Sequence, residues 1–256
     1  MKLTVCMTVN DRPIPVLAKV FTSLRDQPYD ELVCVLDRSP DHVAHFVEEL
    51  AACDSRVKIV SLPGEPGWLS PVTAWNAGFA AVTSPLLYMI SSEVIQEPDN
   101  IRVAKELLAD RRAVVYGKAE CSCGPEGVEV NWGGTAPGNL LVDAAHPRPL
   151  GFIMALPTAD MMAIGGFDPE FAGGYWYDDD DLTYRLWRAG LDFIFTDSIS
   201  GTHQHHDRPV LDTPVGQAGI ARNRALFLAK WGDPQPMARA PKRVYMRPGK
   251  TEWRQV

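Results

Sequence analysis

Four consecutive aspartates, Asp178-Asp179-Asp180-Asp181, follow the aromatic run Tyr175-Trp176-Tyr177. They open a stretch with Leu182, Tyr184, Leu186, Trp187 and Leu191 at roughly helical spacing. A helix N-terminus favours anions, because its dipole and unpaired N–H groups face them. Capping accounts for one or two such carboxylates. Four in a row repel one another unless a cation, a proton or a substrate engages them. The aromatic run before them is either a platform for a sugar ring or part of the core. Downstream stands Thr202-His203-Gln204-His205-His206-Asp207, whose histidine density is a metal-ligand signal. In an extended segment His203 and His205 share a face and His206 points away.

Three further polar stretches each follow a short apolar run: Asn10-Asp11-Arg12-Pro13, Asp37-Arg38-Ser39-Pro40-Asp41 and Ser91-Ser92-Glu93. Loop and cap chemistry explains any one of them. Their common position is explained by the elements that carry them. Leu3–Met7, Leu32–Leu36, Val57–Ser61, Leu86–Ile90 and Ala113–Tyr116 read as strands, and Phe193–Phe195 as another. Between the first five lie helical patterns at Val16–Leu24, Val43–Ala51, Val72–Ala81 and Ile101–Leu108. This alternation predicts an α/β fold with a largely parallel sheet, whose ligands bind beyond the carboxyl ends of the strands. All three polar stretches fall at that end. The segment 122–149, rich in Gly, Pro and Asn, reads as a loop or hairpin excursion, and regular structure resumes near Gly151.

The composition excludes several classes. The chain has 256 residues, 46% hydrophobic, with a formal net charge of −7. That is enough for one sizeable core, and it argues against an extensive nucleic-acid surface. No apolar run is long enough to span a membrane, and the N-terminus lacks a signal-peptide core. Cys6 and Cys34 lie in strand-like runs, where a reduced thiol packs as a small hydrophobe, so a reducing, cytoplasmic location is expected. Cys121 and Cys123 have no second Cys/His pair at zinc-finger spacing. No G-x-G-x-x-G follows the first strand and no phosphate-binding G-x-x-x-x-G-K-[ST] occurs. The expected organisation is one domain over 1–236 and a basic tail over 237–256, with Arg239, Lys242, Arg243, Arg247, Lys250 and Arg254 against Glu252.

Taken in order, these motifs resemble the family 2 type of nucleotide-sugar glycosyltransferases with the GT-A fold, over about residues 3 to 232. Thr8-Val9-Asn10-Asp11-Arg12-Pro13 is similar to that family's "T-Y-N-R-P" opening. Val35–Asp41 is similar to its "V-V-D-D-G-S-x-D", Trp75-Asn76-Ala77-Gly78 to its "x-N-x-G" helix, and Lys230-Trp231-Gly232 to its "K-W-G" close. Gly165–Leu182 also resembles the acidic motif of the β-1,4-galactosyltransferases and the polypeptide N-acetylgalactosaminyltransferases.

The resemblance implies transfer of a sugar from a nucleotide-sugar donor, expected to be a UDP-sugar, to an acceptor hydroxyl by inverting single displacement. Asp179, flanked by Asp178 and Asp180, corresponds to the catalytic base. Asp37 would bind the donor base, with Val9, Asn10, Arg12, Asn76, Ser91 and Ser92 completing the donor site. Trp132, Tyr175 and Trp176 are acceptor candidates. The acceptor classes are a glycan, a polypeptide, another hydroxyl compound or a modified nucleic-acid base. Two positions depart from the family pattern. Ser91-Ser92-Glu93 stands where D-x-D would hold a metal, and Asp178 stands where Glu is usual. Glu93, His203 and His205 are then the expected ligands for Mn²⁺ or Mg²⁺, with a cationic side chain on the diphosphate as the metal-free alternative. The competing reading is a catalytically degenerate GT-A domain that binds carbohydrate or a partner. A sugar-phosphate nucleotidylyltransferase is disfavoured, because Thr8–Pro13 contains no glycine.

Overall fold

The computed structural model describes residues 1–64, 70–122, 151–204, 206 and 209–232. Trp132, His205, Cys123 and the basic stretch 237–256 lie outside the described residues. The chain runs β1 (Leu3–Val9), α1 (Ile14–Arg25), β2 (Glu31–Asp37), α2 (Asp41–Cys53), β3 (Val57–Leu62), α3 (Val72–Ala81), β4 (Leu86–Ser91) and β5 (Val94–Gln96). It continues through α4 (Asn100–Leu107), β6 (Ala113–Ser122), β7 (Ile153–Pro157), α5 (Thr158–Ala163), a short 3₁₀ helix (Pro169–Gly173), α6 (Asp178–Arg188), β8 (Asp192–Gln204) and α7 (Pro214–Trp231). No described helix is long and apolar enough to cross a membrane.

One eight-stranded sheet has the order β3-β2-β1-β4-β7-β6-β8-β5. The β3-β2-β1-β4 half is parallel throughout, and β6 runs parallel to β8. β7 is antiparallel to β4 and β6, and β5 is antiparallel to β8. The expected α/β architecture is therefore present, with antiparallel pairs confined to the second half. β1 and β4 read as near-continuous apolar runs because both their faces are covered. Leu3, Val5, Met7 and Val9 pack with Leu17 and Phe21 of α1, Val43 and Val47 of α2, and Ile101 of α4. Cys6, Val33, Val35 and Met89 pack on the opposite face with Trp75 and Phe79 of α3, Leu186 of α6 and Phe227 of α7. α3 lies close to the sheet at Gly78, where a Cβ would stand 2.6 Å from the Cys6 sulfur and 2.9 Å from a Val35 methyl.

Sequence periodicity missed β5, β7 and α5, and it undersized β8, read as Phe193–Phe195. β8 extends through His203 because it is a partner of both β6 and β5, with Val94 opposite His203. Pairing between distant segments, not local pattern, fixes its length.

Candidate active site

The three polar loops are laced together at the carboxyl edge of the parallel half. Asn10, just after β1, donates from its side-chain amide to the Asp37 carbonyl at 2.6 Å, and the Ser39 hydroxyl donates to the Val9 carbonyl at 2.9 Å. These bonds join the loops after β1 and β2. Arg12 then reaches across to the loop after β4, with its Nε 3.3 Å from Glu93 Oε2. Ser92 Oγ donates to the same Oε2 at 3.2 Å.

Glu93 is the centre of the most concentrated chemistry among the described residues. Its Oε1 lies 3.4 Å from His203 Nε2 and 3.3 Å from His206 Nε2. One ligand atom from each of these three residues lies within 4.8 Å of the other two. Burial opposes the Glu93 charge, but the Arg12 guanidinium and hydrogen bonds from His203 and His206 hold its carboxyl well below the usual carboxylate range. A buried carboxylate between two imidazoles is a donor set that suits Mn²⁺ and related divalent ions, so these residues fit a metal. The alternation reading that turned His206 away fails here. β8 ends at Gln204, and His206, outside the strand, lies against Glu93.

The backbone at Gly151–Phe152 joins this cluster to the acidic helix. The Ser91 N–H donates to the Phe152 carbonyl at 3.1 Å, and the Phe152 ring meets His203 edge-on with centroids 5.0 Å apart. Asp179 Oδ1 lies 3.1 Å from where a Cβ on Gly151 would stand, so a side chain there would crowd that carboxylate. On the other side of α6, Tyr116 and Thr183 share a hydroxyl–hydroxyl hydrogen bond of 2.8 Å. Burial pushes the Tyr116 hydroxyl up, and the nearby Asp179 and Asp180 charges add to that effect.

The aspartate run divides by position. Asp181 is fully buried and accepts from Arg185 Nε at 2.6 Å and Trp231 Nε1 at 3.0 Å, with Lys230 Nζ at 2.7 Å. Lys230 also pairs with Asp168. The cations that relieve the repulsion at this position come from the protein itself. Arg185, four residues after Asp181 on the same helix, was a readable signal for this. Lys230, from α7, was not. Asp178 and Asp179 are partly exposed, and Asp180 is buried.

Two expected site residues have structural surroundings. Asn76 is engaged by backbone. Its amide accepts from the Phe167 N–H and donates to the Phe167 carbonyl, both at 2.8 Å, so α3 clamps the turn that leads to the acidic motif. Gly166, at φ +69°, has no Cβ to collide with that amide. Tyr175 is buried against α7 at Gly219, where a Cβ would stand 2.6 Å from its ring, so the core alternative describes it. Trp176 differs, being 43% exposed. Trp176 and Tyr177 both adopt φ +65°, which is rare for aromatic residues. Asn223 of α7 holds the turn by donating to the carbonyls of Phe171 and Trp176 at 3.0 and 3.1 Å.

Comparison with known proteins agrees with this division of the molecule. Residues 4–130 match the family model described as glycosyl transferase family 2, and residues 142–207 match the model described as the N-terminal domain of galactosyltransferase. No curated protein matches the chain in sequence. Among solved structures, it is similar to a mannosyltransferase from Pyrobaculum calidifontis in complex with GDP-Man and Mn²⁺, at a TM-score of 0.62 and 16% identity over 93% of this chain and 68% of that one. It is similar to GalNAc-T7 with UDP, GalNAc and Mn²⁺, at 0.68 and 12% identity over 92% of this chain and 51% of that one. It is similar also to S. aureus TarS residues 1–349 with UDP-GlcNAc, at 0.62 and 14% identity over 89% and 72%. These likenesses establish the GT-A fold. With two glycosyltransferase family models matched in succession along it, the chain is a glycosyltransferase with the GT-A fold.

Proposed function

We propose that this protein transfers a sugar from a nucleotide-sugar donor to an acceptor hydroxyl by single displacement with inversion, within one domain over 1–236. The observation that carries the reading is the approach of two groups to one backbone segment: the Glu93-His203-His206 cluster on Phe152, and Asp179 on Gly151. The donor nucleotide would lie across the loops at Val9–Arg12, Asp37 and Ser91-Ser92. In the reaction an acceptor oxygen forms a bond to the anomeric carbon as the bond from that carbon to the diphosphate oxygen breaks. Asp179 takes the acceptor's proton, a role worth about 10²–10⁴ in rate. Trp176 offers an exposed ring beside Asp178 and Asp179 on which an acceptor can stack.

Glu93, His203 and His206 would hold a divalent cation, which when bound supplies charge stabilisation to the leaving diphosphate. Arg12 contributes a permanent positive charge on the other Glu93 oxygen, directed to the same place. The acceptor is proposed only as a hydroxyl compound, with glycan and polypeptide as leading classes.

Calorimetry of nucleoside diphosphates, with Mn²⁺ and then with EDTA, tests the reading. Metal-dependent binding of a nucleotide is the expected result. Binding unchanged by EDTA would remove the metal and leave Arg12 as the cation on the diphosphate. Absence of any nucleotide binding would overturn the transferase reading in favour of a degenerate binding module.

A further inference from the structure

The loop after β2 carries a feature that the donor site does not need merely to exist. Asp37 is buried at the end of β2, and the Arg38 guanidinium meets its carboxylate on one oxygen. Arg38 places its Nε 2.8 Å and its Nη2 2.6 Å from Oδ1. An ionised carboxylate offers about two acceptor positions per oxygen, and the guanidinium occupies Oδ1 through one hydrogen bond and one close charge contact. Among the described residues no hydrogen bond reaches Oδ2.

Neighbouring residues cannot ordinarily close this pair, because successive side chains on a strand point to opposite faces. Three features bring Arg38 back. Its φ is +52°, a left-handed conformation uncommon for arginine. Its N–H is held on the Leu62 carbonyl at 3.1 Å. Its aliphatic stem lies on Gly64, where a Cβ would stand 2.7 Å from the Arg38 Cγ and Cδ. Gly64 itself has φ +147°, so the shelf under the arginine needs glycine on two counts.

We infer that Arg38 is a specificity-determining residue: by occupying Asp37 Oδ1 it leaves one acceptor oxygen for the donor base, and so selects a uracil or thymine nucleotide over a guanine one. The inference rests on the donor-site reading above. Uracil and thymine present one ring N–H between two carbonyls, which a single oxygen satisfies. Guanine presents N1–H and an exocyclic amine side by side, and a carboxylate meets both only with both oxygens. With Oδ1 filled, one guanine donor enters the site without an acceptor, a loss that sites built on hydrogen bonds discriminate against strongly.

The test is calorimetry on the full chain with UDP, GDP and CDP at constant Mn²⁺. The wild-type protein is expected to bind UDP at least about tenfold more tightly than GDP, the factor that one unmatched buried donor gives. Arg38→Ala frees Oδ1 and should bring the UDP-to-GDP ratio toward one. Arg38→Lys, with a single ammonium, should fall between the two. Asp37→Asn keeps the volume and offers a sharper reading. Its amide oxygen stays on Arg38, so its NH₂ faces the base. UDP binding should then fall at least about tenfold and CDP, whose ring nitrogen accepts, should gain. Equal binding of UDP and GDP by the wild-type protein would overturn the inference. So would an unchanged ratio in Arg38→Ala, or a loss of UDP in Asp37→Asn with no gain of CDP, each with the donor site left standing. A wild-type protein that binds no nucleotide would overturn the donor-site reading and this inference together.

Discussion

Glu93 and Asp181 are both buried carboxylates at the heart of the molecule, and their partners give them different meanings. Asp181 is met by Arg185 and Lys230, cations that keep their charge at any physiological pH. Nothing mobile is needed to balance it, and the ion pairs fasten α6 to α7. Glu93 is met by Arg12 on one oxygen and by two histidines on the other. Imidazole is a metal ligand as well as a hydrogen-bond donor, so the Oε1 side can exchange its protons for a cation. The cations that meet Asp181 are structural, whereas Glu93 shares its second oxygen with two side chains that can ligate a metal.

Four substitutions test that contrast. Asp179→Asn should lower turnover of the donor by about 10²–10⁴ with nucleotide affinity little changed; turnover within tenfold of wild type would remove Asp179 as the base. Asp181→Ala should act on the fold instead. It strands two cations near α6, and a loss of about 3 kcal/mol in denaturant unfolding is expected, since removing one partner of a buried pair costs that order. Unaltered stability would place Asp181 outside the scaffold. His206→Ala should weaken Mn²⁺ at least about tenfold and reduce the rise in Tm that Mn²⁺ gives, because a cation that binds only the folded form stabilises it. An equal Tm rise in both proteins would exclude His206 from the ligand set.

The fourth concerns pH. Burial opposes the Asp168 charge, but hydrogen bonds from Lys230 and the Glu170 N–H hold its carboxyl below the usual range. A group with a lowered folded pKa stabilises above its unfolded pKa, and that contribution is lost as the pH falls through the folded value. Asp168→Asn should therefore flatten the decline of Tm below about pH 4. An unaltered acid limb would show that the pair adds nothing.

The sequence was most readable where structure is local. The four helical patterns of the first half, set by the 3.6 periodicity, and its five strands, read from short apolar runs, appear at the expected places. Asp37, Arg12 and Glu93 were placed at one sheet edge by the topology that such alternation imposes. What local pattern could not give was long-range pairing. His206 lies beside Glu93 because β8 pairs with β5, which brings the end of β8 to the loop after β4. Asn76 lies in an "x-N-x-G" motif that suggested a ligand contact, yet its partner is a backbone 91 residues away. Tyr175 and Trp176 are adjacent and aromatic, but Tyr175 packs on Gly219 of α7 while Trp176 stays exposed.

β5 has a consequence for the order in which the molecule forms. It follows β4 after two residues in the chain, yet it docks on β8, and the Gln204 N–H reaches the Glu93 carbonyl across 111 residues at 2.9 Å. Contacts of such separation carry a large loop-closure cost and form late. A growing chain can thus build the parallel half and its carboxyl edge well before the histidines arrive. Metal affinity should be the last property to return in refolding, which makes it a sensitive probe of whether the whole sheet has closed.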